Sequence, residues 1–266
     1  MKVRAIAANT FNSLLRNKII IVFSAGMVCV MLLALTPLML ARNNRAIGAD
    51  QMQAMVLQII GGIMSMVSGF GSLLAAWAAA DAVSGEMRTG TILAVMARPV
   101  RRWEYLLGKY LGVQLLMVAF VFGMLALNYA MAAIGGVHIQ ISPWLLIVYP
   151  LVRYAVFSAI ALMLVTVMHP MIACGIVLVM SIAAQIVAPS AAPPQFMAPW
   201  VRKTLFDILP STSALSEIRF LTVTRATLRV APWTDHVITL AYGLDYALVC
   251  FLVGAWLFRN RTLSRD

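Results

Sequence analysis

The stretch that decides the fold is DAVSGEMRTGTILAVMARPVRRWEYLLGK, residues 81–109, which lies between two strongly apolar blocks. It contains eight charged residues, which are Asp81, Glu86, Arg88, Arg98, Arg101, Arg102, Glu104 and Lys109. Each ionised side chain would cost about 3 kcal/mol in hydrocarbon, so this segment is predicted to lie in water or among the lipid headgroups. Gly85, Gly90 and Pro99 are expected to divide it into short helical pieces joined by turns. We interpret the segment as a cytoplasmic docking element.

The composition of the chain indicates that it is surrounded by membrane lipid. The 266 residues are 62% hydrophobic and only 11% charged, whereas a soluble domain is about half apolar and a quarter charged. The chain is therefore predicted to be an integral membrane protein with one transmembrane domain, residues 1–266. Its formal net charge is +11. Lys and Arg gather at the ends of apolar spans, as the positive-inside rule predicts, so the charge indicates contact with membrane lipid and not with nucleic acid.

Long apolar runs predict an all-α integral membrane fold with six transmembrane helices. Each run is long enough to cross about 30 Å of hydrocarbon. The second run is rich in Gly, Ala and Ser, which allow helix backbones to approach closely, so we expect it at a bundle or subunit interface. Residues Pro143 to Pro150 are expected to form an interfacial entry to the fourth span, with Trp144 and Tyr149 at headgroup level. The predicted spans are residues 19–41, 54–80, 105–134, about 143–168, 171–188 and 236–258.

The segments outside the spans predict the orientation. Residues 1–18 have the pattern of an amphipathic interfacial helix, although they could also be an irregular start of the first span. Basic residues at both ends (Lys2, Arg4, Arg16 and Lys18; Arg259, Arg261 and Arg265) place both termini in the cytoplasm of a multi-pass protein of the cell's inner membrane. Residues 81–104 form the cytoplasmic coupling segment, a hairpin after helix two. Residues 189–235 form an outer loop, in which RKTLFDILP and STSALSEIRFLTVTRATLRV predict short helices before helix six.

Asp245 is the one acidic side chain predicted to lie inside a span. Acids within a membrane usually face the bundle interior or a wet cavity, so Asp245 is a candidate intramembrane polar site. Alternatively, the sixth span begins later in the chain, and Asp245 lies near the outer interface. It could then pair with Arg153 or with an arginine of the outer loop.

The sequence shows no signature of catalysis or metal binding. The three cysteines, three histidines and 18 methionines have no metal-ligand spacing, and the methionines are scattered through the spans as apolar filler. Gly108-Lys109 lacks the rest of a phosphate-binding loop. We therefore expect no catalytic, cofactor-binding or metal residues in this chain.

The segment SGEMRTGTILAVMARPVRRWEYLLGKYLG resembles the region after the second span in permease subunits of type-2 ABC exporters. In that pattern an acidic residue precedes Gly-Thr, an apolar run ends in Pro-Val and a basic residue, and Leu-Gly-Lys enters the third span. The matching residues here are Glu86, Gly90, Thr91, Pro99, Val100, Arg101, Gly108 and Lys109. The N-terminal helix, six spans and outer segment extend the resemblance to essentially the whole chain.

The resemblance implies a subunit that moves cargo but does not hydrolyse ATP. Two separate ABC ATPase subunits would hold the ATP and Mg²⁺, and a second copy or a homologous permease would complete the pathway. The residues expected to dock the ATPase are Glu86, Arg88, Gly90, Thr91, Arg98, Pro99, Arg101, Arg102 and Glu104.

One departure from the family pattern concerns the inner turn between spans four and five. That turn carries basic residues in many relatives but is only His169-Pro170 here, which puts a second docking contact at this turn in doubt. Two other functions are compatible with the residues. One is a secondary, ion-coupled carrier that uses Asp245, and the other is a non-transporting membrane assembly subunit.

Overall fold

The computed structural model describes residues 2–43, 49–89, 101–135, 143–187, 199–211, 215 and 233–260, and within them it is helical and contains no strand. This agrees with the predicted all-α class. The helices are α1 (Lys2–Leu15), α2 (Lys18–Asn43), α3 (Ala49–Thr89), α4 (Arg102–Gly135), α5 (Pro143–Val165), α6 (Pro170–Val187), α7 (Pro199–Ile208) and α8 (Trp233–Asn260).

Helix α5 is the centre of the bundle. It packs between α3 and α8 and also contacts α4 and α6. A helix that is apolar all round is stable only when other helices cover it, and α5 has this character. Pro150 lies inside the helix, so the predicted interfacial entry at 143–150 is part of a continuous helix. Tyr149 is fully buried there, and its position at headgroup level stays a prediction.

Small residues allow α3 and α8 to approach α5 closely. The α3 residues Ala75, Ala76, Ala78 and Ala79 are fully buried, which confirms that the Gly- and Ala-rich run lies at a bundle interface. On α8, a Cβ atom at Gly254 would lie 3.1 Å from the Cα of Met163 on α5. This contact puts the α8 backbone directly against α5, as is typical where packing holds membrane helices together.

Helix α1 packs along α4 at two glycines. A Cβ atom on Gly108 would lie 2.7 Å from the Cβ of Ile6, and one on Gly112 would lie 2.6 Å from the Cβ of Thr10. Thr10 is buried, and its hydroxyl donates to the carbonyl of Ile6 at 2.8 Å. The predicted N-terminal helix is therefore present. One of its faces is covered by α4, and a bend of 64° separates it from α2.

The number of membrane-spanning helices among the described residues is smaller than the six predicted. Among the described residues, four segments are long and apolar enough to cross a membrane: Gly62–Met87, Arg102–Ala130, Trp144–Val165 and Trp233–Arg259. The bent pair α1 and α2 makes a fifth if it is counted as one span, and the apolar part of α6, Pro170–Ala184, is shorter. Six spans remain a prediction.

The segments between the spans differ from the prediction at one point and agree with it at another. Helix α3 continues through Gly85 to Thr89, so the expected break at Gly85 is wrong. Helix α7 confirms the short helix predicted in RKTLFDILP and contacts α6. The second short helix expected before the last span lies outside the described residues except for Ser211 and Leu215.

Candidate functional site at the α3–α4 junction

Glu86, near the end of α3, is bound by two side chains from the start of α4. The Lys109 ammonium lies 2.5 Å from Glu86 Oε1, and the Tyr105 hydroxyl donates to Oε2 at 2.7 Å. Tyr105 and Lys109 are four residues apart, which puts them on the same face of α4. The Lys109 ammonium also lies 5.6 Å from the centre of the Tyr105 ring. We call Glu86, Tyr105 and Lys109 the Glu86 cluster.

The burial of the Glu86 cluster makes it an internal connection. Lys109 and Tyr105 are 4% and 0% exposed, and the Glu86 side chain is 23% exposed. A buried ammonium is tolerated only when a carboxylate and further hydrogen bonds accompany it. The sequence-based prediction placed Glu86 on the docking surface, but the structure directs its carboxylate into the junction. Direct contact between Glu86 and an ATPase stays a prediction.

The first turn of α4 is fixed by two of the predicted docking residues. The backbone N–H of Arg101 donates to the Glu104 carboxylate at 3.0 Å, which is one half of a capping box. The Arg102 guanidinium donates to the carbonyl oxygens of Phe258 and Arg259, at 3.3 and 2.9 Å. These carbonyls belong to the last turn of α8, where a cation opposes the negative end of the helix dipole.

A ring contact reinforces the bond between α4 and α8. Phe258 is fully buried and stacks on Tyr105, with the ring centres 6.0 Å apart and the planes inclined by 18°. Tyr105 therefore contacts α3 through its hydroxyl and α8 through its ring.

Asn17 joins the bend between α1 and α2 to α3. Its Oδ1 accepts from the backbone N–H of Ile19 at 3.0 Å, so Asn17 caps the start of α2. Its Nδ2 donates to Asp81 Oδ2 at 2.7 Å. The sequence did not single out Asn17, although an Asn between two helical patterns is a recognisable N-cap signal.

The remaining docking residues are distributed as follows. Arg101 is exposed. Arg88 lies in the last turn of α3, and its side chain is outside the described residues, as are Gly90, Thr91, Arg98 and Pro99. Trp103 was not predicted individually, yet it is 48% exposed in the first turn of α4. Its position between the charged residues Arg102 and Glu104 was the available signal.

The sequence profile of the ABC-2 family of transporter proteins matches residues 4–263. The chain belongs to the ABC-2 transporter family. It is thus the multi-pass membrane permease of an ABC transporter, and permeases of this family work with ABC ATPase subunits and are not catalytic themselves. No curated protein matches the chain at a significant level.

Elsewhere in the permease, Asp245 lies on a different side of α8 from the one expected. Its side chain is exposed, whereas the α8 residues that meet α5 include Gly243 and Gly254. Arg153, a partner considered from the sequence, is 5% exposed; it donates to the Ser72 hydroxyl at 3.0 Å and lies 5.9 Å from the Phe157 ring centre. Asp245 therefore neither faces the bundle interior nor pairs with Arg153, and the side chains of the outer-loop arginines that were the other expected partners lie outside the described residues.

The permease also contains a small, open cleft between α3, α4 and α5. Asn128 lines it and is 5% exposed; its Nδ2 donates to the Met124 carbonyl at 2.9 Å, while its Oδ1 has no partner among the described residues. The rest of the lining is mainly apolar, including Met64, Val67 and Tyr154. In the described part of the chain, no group of three or more His, Cys, Asp or Glu residues could hold a metal ion.

Proposed function

We propose that this permease is the membrane-spanning half of an exporter, that two separate ATPase subunits dock against residues 81–104 from the cytoplasm, and that a second permease completes the pathway. The observation that supports the docking hypothesis is the Glu86 cluster. It joins α3 to α4, the helices that precede and follow residues 90–100 in the sequence, so both ends of this segment are attached to the bundle. ATP and Mg²⁺ would be held by the ATPase subunits.

The contacts of the junction support a role in transmitting motion. Glu86 connects α3 to α4, and Arg102 connects α4 to the end of α8. Asn17 connects the α1–α2 bend to α3 through Asp81. A displacement of residues 90–100 by closing ATPase subunits would therefore act on helices from both ends of the chain. Such a packed, hydrogen-bonded unit is suited to switching between two arrangements.

The exposed residues beside the cluster are suited to receive the partner. Arg101 is exposed and Trp103 is 48% exposed. Arg and Trp are the residue types that most often dominate binding energy in protein interfaces. We therefore assign the docking contact to Arg101 and Trp103, and a positioning role to Glu86, Arg102 and Glu104.

The distribution of positive charge supports the cytoplasmic orientation. The contacts of Gly108 with α1 and of Arg102 with α8 bring the N-terminal helix and the C-terminal end of α8 to the same end of the bundle as the junction. The basic residues Arg4, Arg101 and Arg259 therefore share that end, as expected for the cytoplasmic side of an inner-membrane protein.

Membership of the ABC-2 family favours ATP-driven transport over the two alternatives from the sequence. The carrier hypothesis depended on Asp245 as a charged site between the helices, and Asp245 is exposed on the side of α8 away from α5.

The docking hypothesis can be tested by purifying tagged permease from its native membrane and measuring vanadate-sensitive ATP hydrolysis in the eluate. Wild-type permease is expected to bring the ATPase with it. The double variant Arg101→Glu/Trp103→Ala should lose at least about 90% of this activity, because loss of a Trp and an Arg anchor commonly costs 2 kcal/mol or more each.

The matched control is Lys203→Glu on α7, where the lysine is also exposed but lies outside the junction. It should retain the ATPase. All variants are first shown to elute as a single species in detergent. Equal hydrolysis in the eluates of wild type and the double variant would contradict the docking surface, and no hydrolysis with wild type would contradict the partnership.

A further inference from the structure

Asp245 lies at the middle of a membrane-spanning helix. The span runs from Trp233 to Arg259, so Asp245 follows its first residue by 12 positions and precedes its last by 14. At 1.5 Å per residue, these separations are about 18 and 21 Å. The carboxylate therefore lies close to the midpoint of the span, far from the water at both ends.

The Asp245 side chain points away from the rest of the permease. Successive residues of an α-helix are rotated by about 100°, so Asp245 is directed almost opposite to Gly243 and Ala247. Those two residues are buried in the bundle, and Gly243 faces Val152 of α5. Ile238, Leu248, Leu252 and Trp256 share the outward side with Asp245 and are all more than half exposed. We call these four residues and Asp245 the outward face of α8.

No described residue pairs with the Asp245 carboxylate, since the one ion pair in the described part of the chain joins Lys109 to Glu86. A carboxylate directed at lipid tails at mid-bilayer costs about 3 kcal/mol. Charged groups inside membranes are usually paired with an opposite charge or with backbone carbonyls. Among the described residues, the outward face therefore has no complementary cation.

We propose that the outward face of α8 binds a membrane-spanning helix of another protein that carries a Lys or Arg at mid-bilayer. The apolar residues around Asp245 would pack against that helix, and the carboxylate would pair with the cation. This inference does not depend on ATPase docking, because the outward face shares no residue with the α3–α4 junction.

A second copy of this chain does not supply the cation from its described membrane-spanning helices. In the four described spans, away from their ends, the basic residues are Lys109 and Arg153, and they are 4% and 5% exposed. Lys109 is bound to Glu86, and Arg153 is bound to Ser72. Two copies meeting through this face would instead bring two carboxylates together, and like charges in a medium of low dielectric constant repel strongly. We therefore assign the partner to a different protein.

The proposal can be tested with two synthetic helices in phosphatidylcholine vesicles. One is a polyleucine helix of about 20 residues, long enough to span the bilayer, and the other is identical except for one central lysine. The full-length permease carries a donor dye, each peptide carries an acceptor dye, and energy transfer is titrated against peptide content. We expect the lysine peptide to associate with the permease at least about tenfold more tightly than the all-leucine peptide.

Variants of Asp245 identify the group responsible. Asp245→Asn should abolish the preference for the lysine peptide, and Asp245→Glu should retain it. Both changes are at an exposed side chain, so the fold is expected to tolerate them. Equal association of the two peptides with wild type, no association of either, or a preference that survives in Asp245→Asn would overturn the proposal.

Self-association is tested in the same vesicles. Leu252→Cys places a thiol on the outward face, and Val179→Cys places one on the exposed side of α6, both in a Cys29→Ala background that removes the exposed native cysteine. We expect no Leu252→Cys cross-link above the level of Val179→Cys. A stronger Leu252→Cys cross-link that disappears in Asp245→Asn would assign the face to a second copy and overturn the proposal.

Discussion

Glu86 and Asp245 are two carboxylates in apolar helices, and their surroundings differ completely. The Glu86 carboxylate accepts a hydrogen bond from each of two residues on the neighbouring helix, and the side chain is mostly buried. Asp245 is exposed and has no described partner. Glu86 connects two helices of the permease. The Asp245 carboxylate, in contrast, carries the free-energy cost of a charge in hydrocarbon unless a group outside the described helices pairs with it.

The difference shows how the position of an acid on its helix determines its role. Residues one helical turn apart on α4 provide Glu86 with an ammonium and a hydroxyl, and the small residues of α8 that pack on α5 leave Asp245 on the opposite side. Glu86 is thus held by partners in its own chain, whereas Asp245 belongs to the surface that we propose as a binding site. Three predictions test this contrast through the stability of the purified permease.

The largest effect is expected for Glu86→Leu. This change leaves the Lys109 ammonium buried without its carboxylate, and breaking one partner of a buried pair commonly costs about 3–5 kcal/mol. The free energy of unfolding can be measured in mixed micelles by titration with SDS, followed by circular dichroism. Adding Lys109→Met to Glu86→Leu should recover at least half of the loss, because the uncompensated charge is then gone. If Glu86→Leu alone is as stable as wild type, the Glu86 cluster is not a stabilising connection.

A smaller effect is expected for Tyr105→Phe, which keeps the ring against Phe258 and removes only the hydroxyl bound to Glu86. A hydrogen bond to a charged group contributes about 1.5–3 kcal/mol, and the same SDS titration measures it. Tyr129→Phe on α4 is the matched control, because the Tyr129 hydroxyl has no hydrogen bond to a described residue, and it should change stability by less than about 0.5 kcal/mol. Equal effects of the two substitutions would contradict the assigned role of the Tyr105 hydroxyl.

The smallest effect is expected for Asp245→Leu in the isolated permease. No described hydrogen bond or ion pair is lost, so the free energy of unfolding should stay within about 0.5 kcal/mol of wild type. The same micelle titration provides the measurement. A loss comparable to that of Glu86→Leu would show that Asp245 is paired within its own chain, and the contrast between the two carboxylates would disappear.

The sequence predicted the helices well where hydropathy alone determines them. The first span was expected at residues 19–41 and the helix is Lys18–Asn43, and the last was expected at 236–258 and the helix is Trp233–Asn260. Hydropathy did not reveal that α3 passes through Gly85 and α5 through Pro150. Gly and Pro end helices in isolation, but neighbouring helices in a packed bundle can compensate for the residues that weaken them.

The candidate site was predicted in location but not in its contacts. The charged segment was recognised, yet the partners of Glu86 are 19 and 23 residues away, and those of Arg102 are 156 and 157 residues away. The i, i+4 spacing of Tyr105 and Lys109 could have indicated a shared partner. The direction of Asp245 was also recoverable, because Gly243, Ala247, Cys250 and Gly254 mark one side of α8 with small residues and Asp245 lies on the other side.

The bond from Arg102 to the end of α8 has a consequence for biosynthesis. A ribosome completes the chain from the N-terminus, so the start of α4 is made more than 150 residues before the carbonyl oxygens of Phe258 and Arg259 exist. The hydrogen bonds between Asn17 and Asp81 and between Lys109 and Glu86 can already form in the nascent chain. Arg102 and the Tyr105 ring acquire their last contacts only when the final helix has entered the membrane. The junction is thus completed at the end of synthesis, which makes an intact final helix a condition for its finished set of contacts.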